Sequence, residues 1–278
     1  MNPIHIAAAL LSAVLHAGWN AAVKASPDPK AAMTAQMAMA AAMALPGLFF
    51  TGLPAPASWP WLAASTILNL ATVTALLRAY ELSGFGVAYP VVRALSVLLV
   101  VPLSANLASE TISPWGLAGM ALVISSLLLL AVGDARHNGL PRAAFIWIAI
   151  AGVATAAYVM CDAQGVRRAG SPLAYGFAVS ITNAIVMSWR QNALATPWRD
   201  ISRQAVRAIP IAIASVASYL LILWVWSVAP IAPSAALRDT SAVFALVIAI
   251  LWLKEPFTRV RLVAILLSAA AVPLLRFS

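Results

Sequence analysis

The sequence predicts an all-α polytopic membrane protein with ten transmembrane helices, arranged as two inverted five-helix repeats around a central cavity. Three observations lead there. Only 9% of the 278 residues are charged and 63% are hydrophobic, against roughly 25% charged in soluble domains, so a water-facing surface could not be covered. Apolar runs of about 20 residues, the length that crosses a bilayer as a helix, recur along the whole chain. Two of those runs carry the same polar frame: Arg93 and Arg238 lie 145 residues apart, and so do Glu110 and Glu255.

The ten spans fall at about 4–24, 31–53, 59–82, 87–108 and 114–133, then 142–166, 172–194, 205–228, 231–253 and 259–277. Helices are required because backbone facing lipid must satisfy its own hydrogen bonds. The alternating ten-residue pattern of a barrel is absent. The breaks carry turn chemistry: Ser26–Lys30 (SPDPK), Gly52–Pro60, Ser83–Gly86 (SGFG), Gly139–Pro141, Gly170–Pro172 and Ala229–Pro233. No loop is long enough for a soluble domain. MNPIHIAAALL lacks the basic start of a cleaved signal peptide and reads as the first permanent span.

The net charge of +9 suits lipid headgroups rather than nucleic acid, because the basic residues sit between apolar runs and form no aromatic-interleaved patch. Eleven Lys and Arg flank the odd-numbered loops and three lie on the other side, which weakly favours both termini outside the cytoplasm. Cys161 is the only cysteine; it excludes an intrachain disulfide, and no Cys/His cluster suggests a metal. Neither a metal nor a cofactor is expected. No GxGxxG, Walker loop, HExxH or nucleophile elbow is present, so an enzyme is not expected.

The repeat extends beyond two charges. Tyr89, Arg93 and Ser96 share one helix face at i, i+4, i+7, and Ser234, Arg238 and Ser241 repeat that spacing 145 residues on. Five spans per half is an odd number, so halves at 1–134 and 140–278 joined by a short loop must run in opposite orientations. Such inverted repeats place substrate at their interface near the midplane.

These features carry a resemblance over essentially the whole chain. Two five-span halves, Gly18–Trp19–Asn20 in the first span, and helices ending LASETIS (107–113) and WLKEPFT (252–258) resemble the drug/metabolite transporter superfamily, EamA type. Within it the chain looks most like the YddG-like amino acid exporters. The resemblance implies a ten-helix basket, alternating access and broad substrate range. The adjacent Arg238–Asp239 inside a span and the charge bias depart from the expected pattern.

Candidate site residues follow from polarity inside spans. Ser12, His16 and Asn20 form a stripe at four-residue steps with Trp19 beside it: either a substrate-binding wall or interhelical hydrogen bonds. His16 is also a candidate proton carrier. Thr155, Tyr158 and Asp162 share a face of the sixth span; Asp162 either binds a substrate ammonium or pairs with Arg167 or Arg168. Arg238, about 10 Å into its span at 1.5 Å per residue, is long enough to snorkel. Asp239 is not, so it needs an internal partner, a proton or a water-filled cavity. The position 145 residues before Asp239 is Ala94, which makes Asp239 the unshared charge. Tyr89, Tyr219 and Trp224 are candidate linings for an apolar or aromatic ligand. The Ala- and Met-rich second span reads as ordinary helix packing.

The expected function is secondary transport of small organic solutes, aromatic or other apolar amino acids first, as an exporter in the inner cell membrane acting as a monomer. Partners are the small-molecule substrate and the bilayer. Sugar-phosphate or nucleotide-sugar transport is an alternative, wanting clustered cations. An intramembrane enzyme using Asp162 and Asp239 is another, and requires the two acids to approach each other. A structural subunit would have a closed, dry core.

Overall fold

The computed structural model describes residues 1–83, 85–138, 141–192, 197–252 and 258–277. Lys254 and Glu255, and with them the second half of the Glu110/Glu255 correspondence, lie outside the described residues, as do 139–140 and the expected end of the seventh span at 193–194. The helices are α1 (Pro3–Lys24), α2 (Pro29–Thr51), α3 (Trp59–Ser83), α4 (Phe85–Ala108), α5 (Pro114–Asn138), α6 (Arg142–Arg168), α7 (Pro172–Asn192), α8 (Pro197–Val228), α9 (Ile231–Asp239), α10 (Ser241–Trp252) and α11 (Arg259–Arg276). Among the described residues there is no strand. Among the described residues eight stretches are long and apolar enough to cross a membrane; α7 and α11 do not reach that measure by themselves. α11 opens on Arg259 and Arg261 and closes on Arg276.

Local chemistry explains the boundaries. Asn2 caps α1 by accepting from the Ile4 N–H at 3.0 Å, with Pro3 at the first helical position. Asp28 caps α2 by accepting from Lys30 and Ala31 N–H groups, both at 3.0 Å, with Pro29 just inside. α2 stops at Gly52, whose φ of 73° is in the region that side-chain-bearing residues avoid. The span expected over 231–253 is one apolar stretch over Ile231–Ile248, with its helix interrupted at Thr240. Thr240 turns its hydroxyl onto the Leu237 carbonyl at 2.6 Å, a local bond that competes with the helix ladder. α9 therefore ends directly after Arg238–Asp239.

The packing is that of a membrane protein. On α1 the buried face holds Ala9, Ser12, Ala13, His16 and Ala17, while Ile4, Leu11 and Val14 point outward. Small residues let backbones approach, and large apolar ones meet lipid. Phe49, Phe50, Val206 and Leu251 are each more than 70% exposed, which only a lipid environment makes reasonable. Gly47 shows how close the helices come, since a Cβ there would lie 2.5 Å from the Phe177 ring, so α2 and α7 touch at that point.

Helix partners are arranged in a regular way. α3 packs along α6, and α8 packs along α1; α4 packs against α6, and α9 with α10 against α1; α2 meets α7, and α5 meets α11. All nine residues of α9 are buried.

The end of the bundle that carries both termini is tied by directional bonds. Glu110, just beyond α4, accepts from the Ile231 N–H through both carboxylate oxygens, at 2.9 and 2.8 Å, capping α9. Arg167 of α6 donates to the same carboxylate at 3.0 Å and to the Trp226 and Ala229 carbonyls at 2.9 Å each. Gln164 reaches the Leu107 carbonyl, the Ala55 N–H donates to the Ala169 carbonyl, and Ser113 donates to the Phe277 carbonyl. The N-terminal ammonium donates to the Arg276 carbonyl. Four helix ends are thus joined around Glu110 and Arg167 alone.

Candidate functional site

A cavity of about 160 Å³ lies among α1, α2, α3, α4, α6, α7, α8 and α9. In α1, α2 and α4 its wall comes from the half of each helix away from the tied end: His16, Trp19 and Asn20; Met33, Gln36 and Met37; Tyr89 and Arg93. Tyr158 enters from near the middle of α6, Tyr219 from the C-terminal third of α8 and Arg238 from the end of α9.

Seven of the ten residues singled out from the sequence stand on this wall: His16, Trp19, Asn20, Tyr89, Tyr158, Tyr219 and Arg238. His16 and Trp19 meet edge to face, with ring centroids 5.1 Å apart. Asn20 donates to the His16 carbonyl at 2.7 Å, one turn back. The Arg93 guanidinium sits over the Tyr89 ring at 5.1 Å, and the Tyr89 hydroxyl lies 3.3 Å from Ser241 Oγ.

Arg93 links three helices. Its Nη1 pairs with Asp239 Oδ1 at 2.9 Å and its Nη2 lies 2.7 Å from His16 Nε2. A guanidinium only donates, so His16 Nε2 accepts, and the neutral ring carries its proton on Nδ1. Asp239 is therefore matched by Arg93 of the other half rather than by its neighbour. Adjacent helical residues point about 100° apart, which keeps Arg238 and Asp239 from facing one partner together. Of the three alternatives for Asp239, the structure has the internal partner, Arg93, and Asp239 is not among the residues that line the cavity. Snorkelling is likewise wrong for Arg238, which is 5% exposed and lies over the Trp226 ring at 5.6 Å.

Asp162 also lies off the wall. It accepts from Ser65 on α3 at 2.5 Å and from Tyr219 on α8 at 2.6 Å, with the Tyr175 hydroxyl of α7 at 3.3 Å. It does not pair with Arg167 or Arg168: Arg167 is held by Glu110, and Arg168 by Gln164 and the Trp61 ring. Asp162 and Asp239 hydrogen-bond to separate partner sets, and neither bonds to the other. Trp224 faces outward, 37% exposed, with its ring 5.4 Å from that of His5. Five residues separate it from Tyr219, a rotation of about 140° on a helix, so both cannot face one cavity.

Several wall residues carried no signal in the sequence: Gln36, Asn69, Thr72, Asn183 and Ser215. All are neutral; Asn69 and Thr72 share α3 at i, i+3, and Asn183 stands three residues after the wall residue Ser180 on α7. The second span, read as plain packing, supplies Met33, Gln36 and Met37.

Four polar atoms of wall residues are buried without a protein partner among the described residues: His16 Nδ1, Thr72 Oγ1, Asn183 Oδ1 and Arg238 Nε. Buried polar groups are nearly always satisfied, so their gathering around one cavity marks a place built to be filled by something polar. Arg93 is neutralised by Asp239, whereas Arg238 has neither ion pair nor hydrogen bond among the described residues. The wall therefore presents one cation without a hydrogen-bonded counter-ion among the described residues, aromatic faces and neutral polar groups.

A helical membrane bundle that keeps such groups around a cavity offers a site for a small polar solute. Residues 142–277 match the EamA-like transporter family. The second part of the chain is thus similar to the EamA type of the drug/metabolite transporter superfamily, a family of transporters, and the apolar helices make the chain a multi-pass membrane protein. Among curated proteins, none matches the chain. A solved structure described only as a crystal structure of a protein is 15% identical and similar in fold, with a TM-score of 0.74 over 98% of this chain and 94% of that one.

Proposed function

We propose that this chain is a secondary transporter that exports amino acids, aromatic or otherwise apolar, by alternating access of two inverted halves, 1–134 and 140–278. The observation that carries the reading is the cavity, whose wall combines His16, Asn20 and Arg238 with the rings of Trp19, Tyr89, Tyr158 and Tyr219. A zwitterion with an apolar side chain needs both kinds of surface.

The helix pairing supports the inverted repeat. Exchanging the halves turns α3 on α6 into α8 on α1, and α4 on α6 into α9 and α10 on α1, while α2 with α7 and α5 with α11 map onto themselves. The equivalent helices α4 and α9 meet at Arg93 and Asp239. The charge bias puts the terminal end outside. The bonds around Glu110 and Arg167 then close the exterior side, and substrate loads from the cytoplasm, as export requires. Phosphorylated sugars suit the cavity less well, because clustered cations would serve them and Arg93 is already matched by Asp239.

Purified protein in liposomes tests this with a panel of amino acids, with and without a pH gradient. Exchange of phenylalanine or tryptophan above the leak of empty vesicles is the expected outcome. Leak-level fluxes for every amino acid in the panel would refute it.

A further inference from the structure

We propose that Arg238 is the anion-binding residue of the cavity, and that the chain selects substrates by their carboxylate while reading the opposite polar group only through neutral oxygens. The inference rests on the transport reading and narrows its substrate class to monocarboxylates. Amino acids are one member of that class and 2-hydroxy acids another.

Three observations carry it. Arg238 is 95% buried, stands on the cavity wall and has no acceptor among the described residues, and its Nε is sequestered without a partner. An isolated cation in that position is costly unless something of opposite charge arrives. Every neighbouring charge that could have served is otherwise engaged. Asp239 is bound by Arg93, and Asp162 is enclosed by Ser65, Tyr175 and Tyr219 behind the wall. His16 adds a donor of the right sort, since its Nε2 is occupied by Arg93 and its Nδ1–H is left over. A planar carboxylate matches the fork of a guanidinium.

The same census defines the other pole. Among the described residues no carboxylate lines the cavity. The leftover acceptors are Asn183 Oδ1 and Thr72 Oγ1, uncharged oxygens that an ammonium or a hydroxyl can satisfy alike. Losing the carboxylate should therefore cost far more affinity than exchanging the ammonium for a hydroxyl.

Three phenyl compounds of matched size separate these terms: phenylalanine, 3-phenyllactate and 2-phenylethylamine. Binding to the detergent-purified protein is read by tryptophan fluorescence, since Trp19 is on the wall. Phenylalanine and phenyllactate should bind within about tenfold of each other, and the amine at least about tenfold more weakly than either. Arg238→Gln should abolish the discrimination between carboxylate and amine, and Arg238→Lys should retain it with weaker binding. Equal binding of the amine, no binding of either carboxylate at millimolar concentration, or undiminished discrimination in Arg238→Gln would overturn the proposal. If Arg238→Gln does not fold, the three-compound comparison on the unaltered protein and Arg238→Lys still decides. Carboxylate binding that depends on Arg238, without amino acid flux in liposomes, would refute amino acid transport and leave the anion site standing.

Discussion

α4 and the interrupted pair α9–α10 occupy corresponding places in the sequence, and each puts an arginine on the cavity wall. Arg93 and Arg238 are 145 residues apart, both under 10% exposed, and both lie over an aromatic ring at 5.1 and 5.6 Å. Their electrostatic circumstances are opposite. Arg93 has a carboxylate at 2.9 Å and an imidazole at 2.7 Å, while Arg238 has neither. The difference traces to one unshared residue, since Asp239 stands where α4 has Ala94, and its carboxylate crosses to the other half instead of serving its neighbour. Two similarly placed arginines thus differ because Asp239 bonds Arg93 and not Arg238, so likeness of sequence surroundings and role in the site are separate properties.

The comparison is broken most violently at Asp239. Asp239→Asn leaves Arg93 buried without its counter-ion and beside a second unpaired arginine. Breaking a buried pair from one side costs about 3–5 kcal/mol, so thermal unfolding in detergent should occur at a clearly lower temperature. The double variant Arg93→Gln/Asp239→Asn should recover part of that loss, because no charge is then stranded. A single variant that unfolds at the temperature of the unaltered protein would mean that the pair contributes nothing.

A smaller effect is expected at the support of α9. Glu110 caps this helix and receives Arg167, so it holds the segment that carries Arg238 from outside the cavity. Glu110→Gln keeps the size and one acceptor while removing the charge. A loss of about 1–3 kcal/mol is expected, as for hydrogen bonds to charged groups. Hydrogen exchange should quicken in the first turn of α9 while the interior of α4 stays protected. Unchanged exchange at Ile231–Ser234 would show that α9 is held by packing alone.

Much of this architecture was legible in the sequence, because lipid imposes a coarse rule: long apolar runs, charged only at their ends or where something inside needs the charge. The breaks at Asp28–Pro29 and Gly52 announced themselves through cap and turn chemistry. The break at Thr240 did not, since ALRDTSAVF contains neither Gly nor Pro, and the interruption comes from a hydroxyl bonding its own helix. In the site, the residues found were those whose polarity is conspicuous in an apolar run, such as His16, Asn20 and Arg238. Those missed, such as Asn183 and Gln36, are neutral, and facing a cavity is a property of how helices pair. Asp239 was recognised as needing a partner, yet the partner lies 146 residues away. The visible likeness between Arg93 and Arg238 concealed it, since like residues of a repeat draw attention to each other rather than to the residue each one touches.

The smallest stability effect belongs to Arg238, and it tests the comparison most closely. If Arg238 is an uncompensated cation kept for a ligand, Arg238→Gln removes a charge whose burial is unfavourable while losing its contact with the Trp226 ring. A cation–π contact is worth about 0.5–2 kcal/mol, and relief of the buried charge offsets it. The unliganded variant should therefore unfold within about 1 kcal/mol of the unaltered protein. Arg93→Gln, which strands Asp239, should fall well below both. Two arginines of equal burial would then differ by several fold in their contribution to stability, in the order set by their partners. Equal losses at the two positions would mean that Arg238 is bonded in the folded protein as firmly as Arg93, and its availability to a carboxylate would be lost with that result.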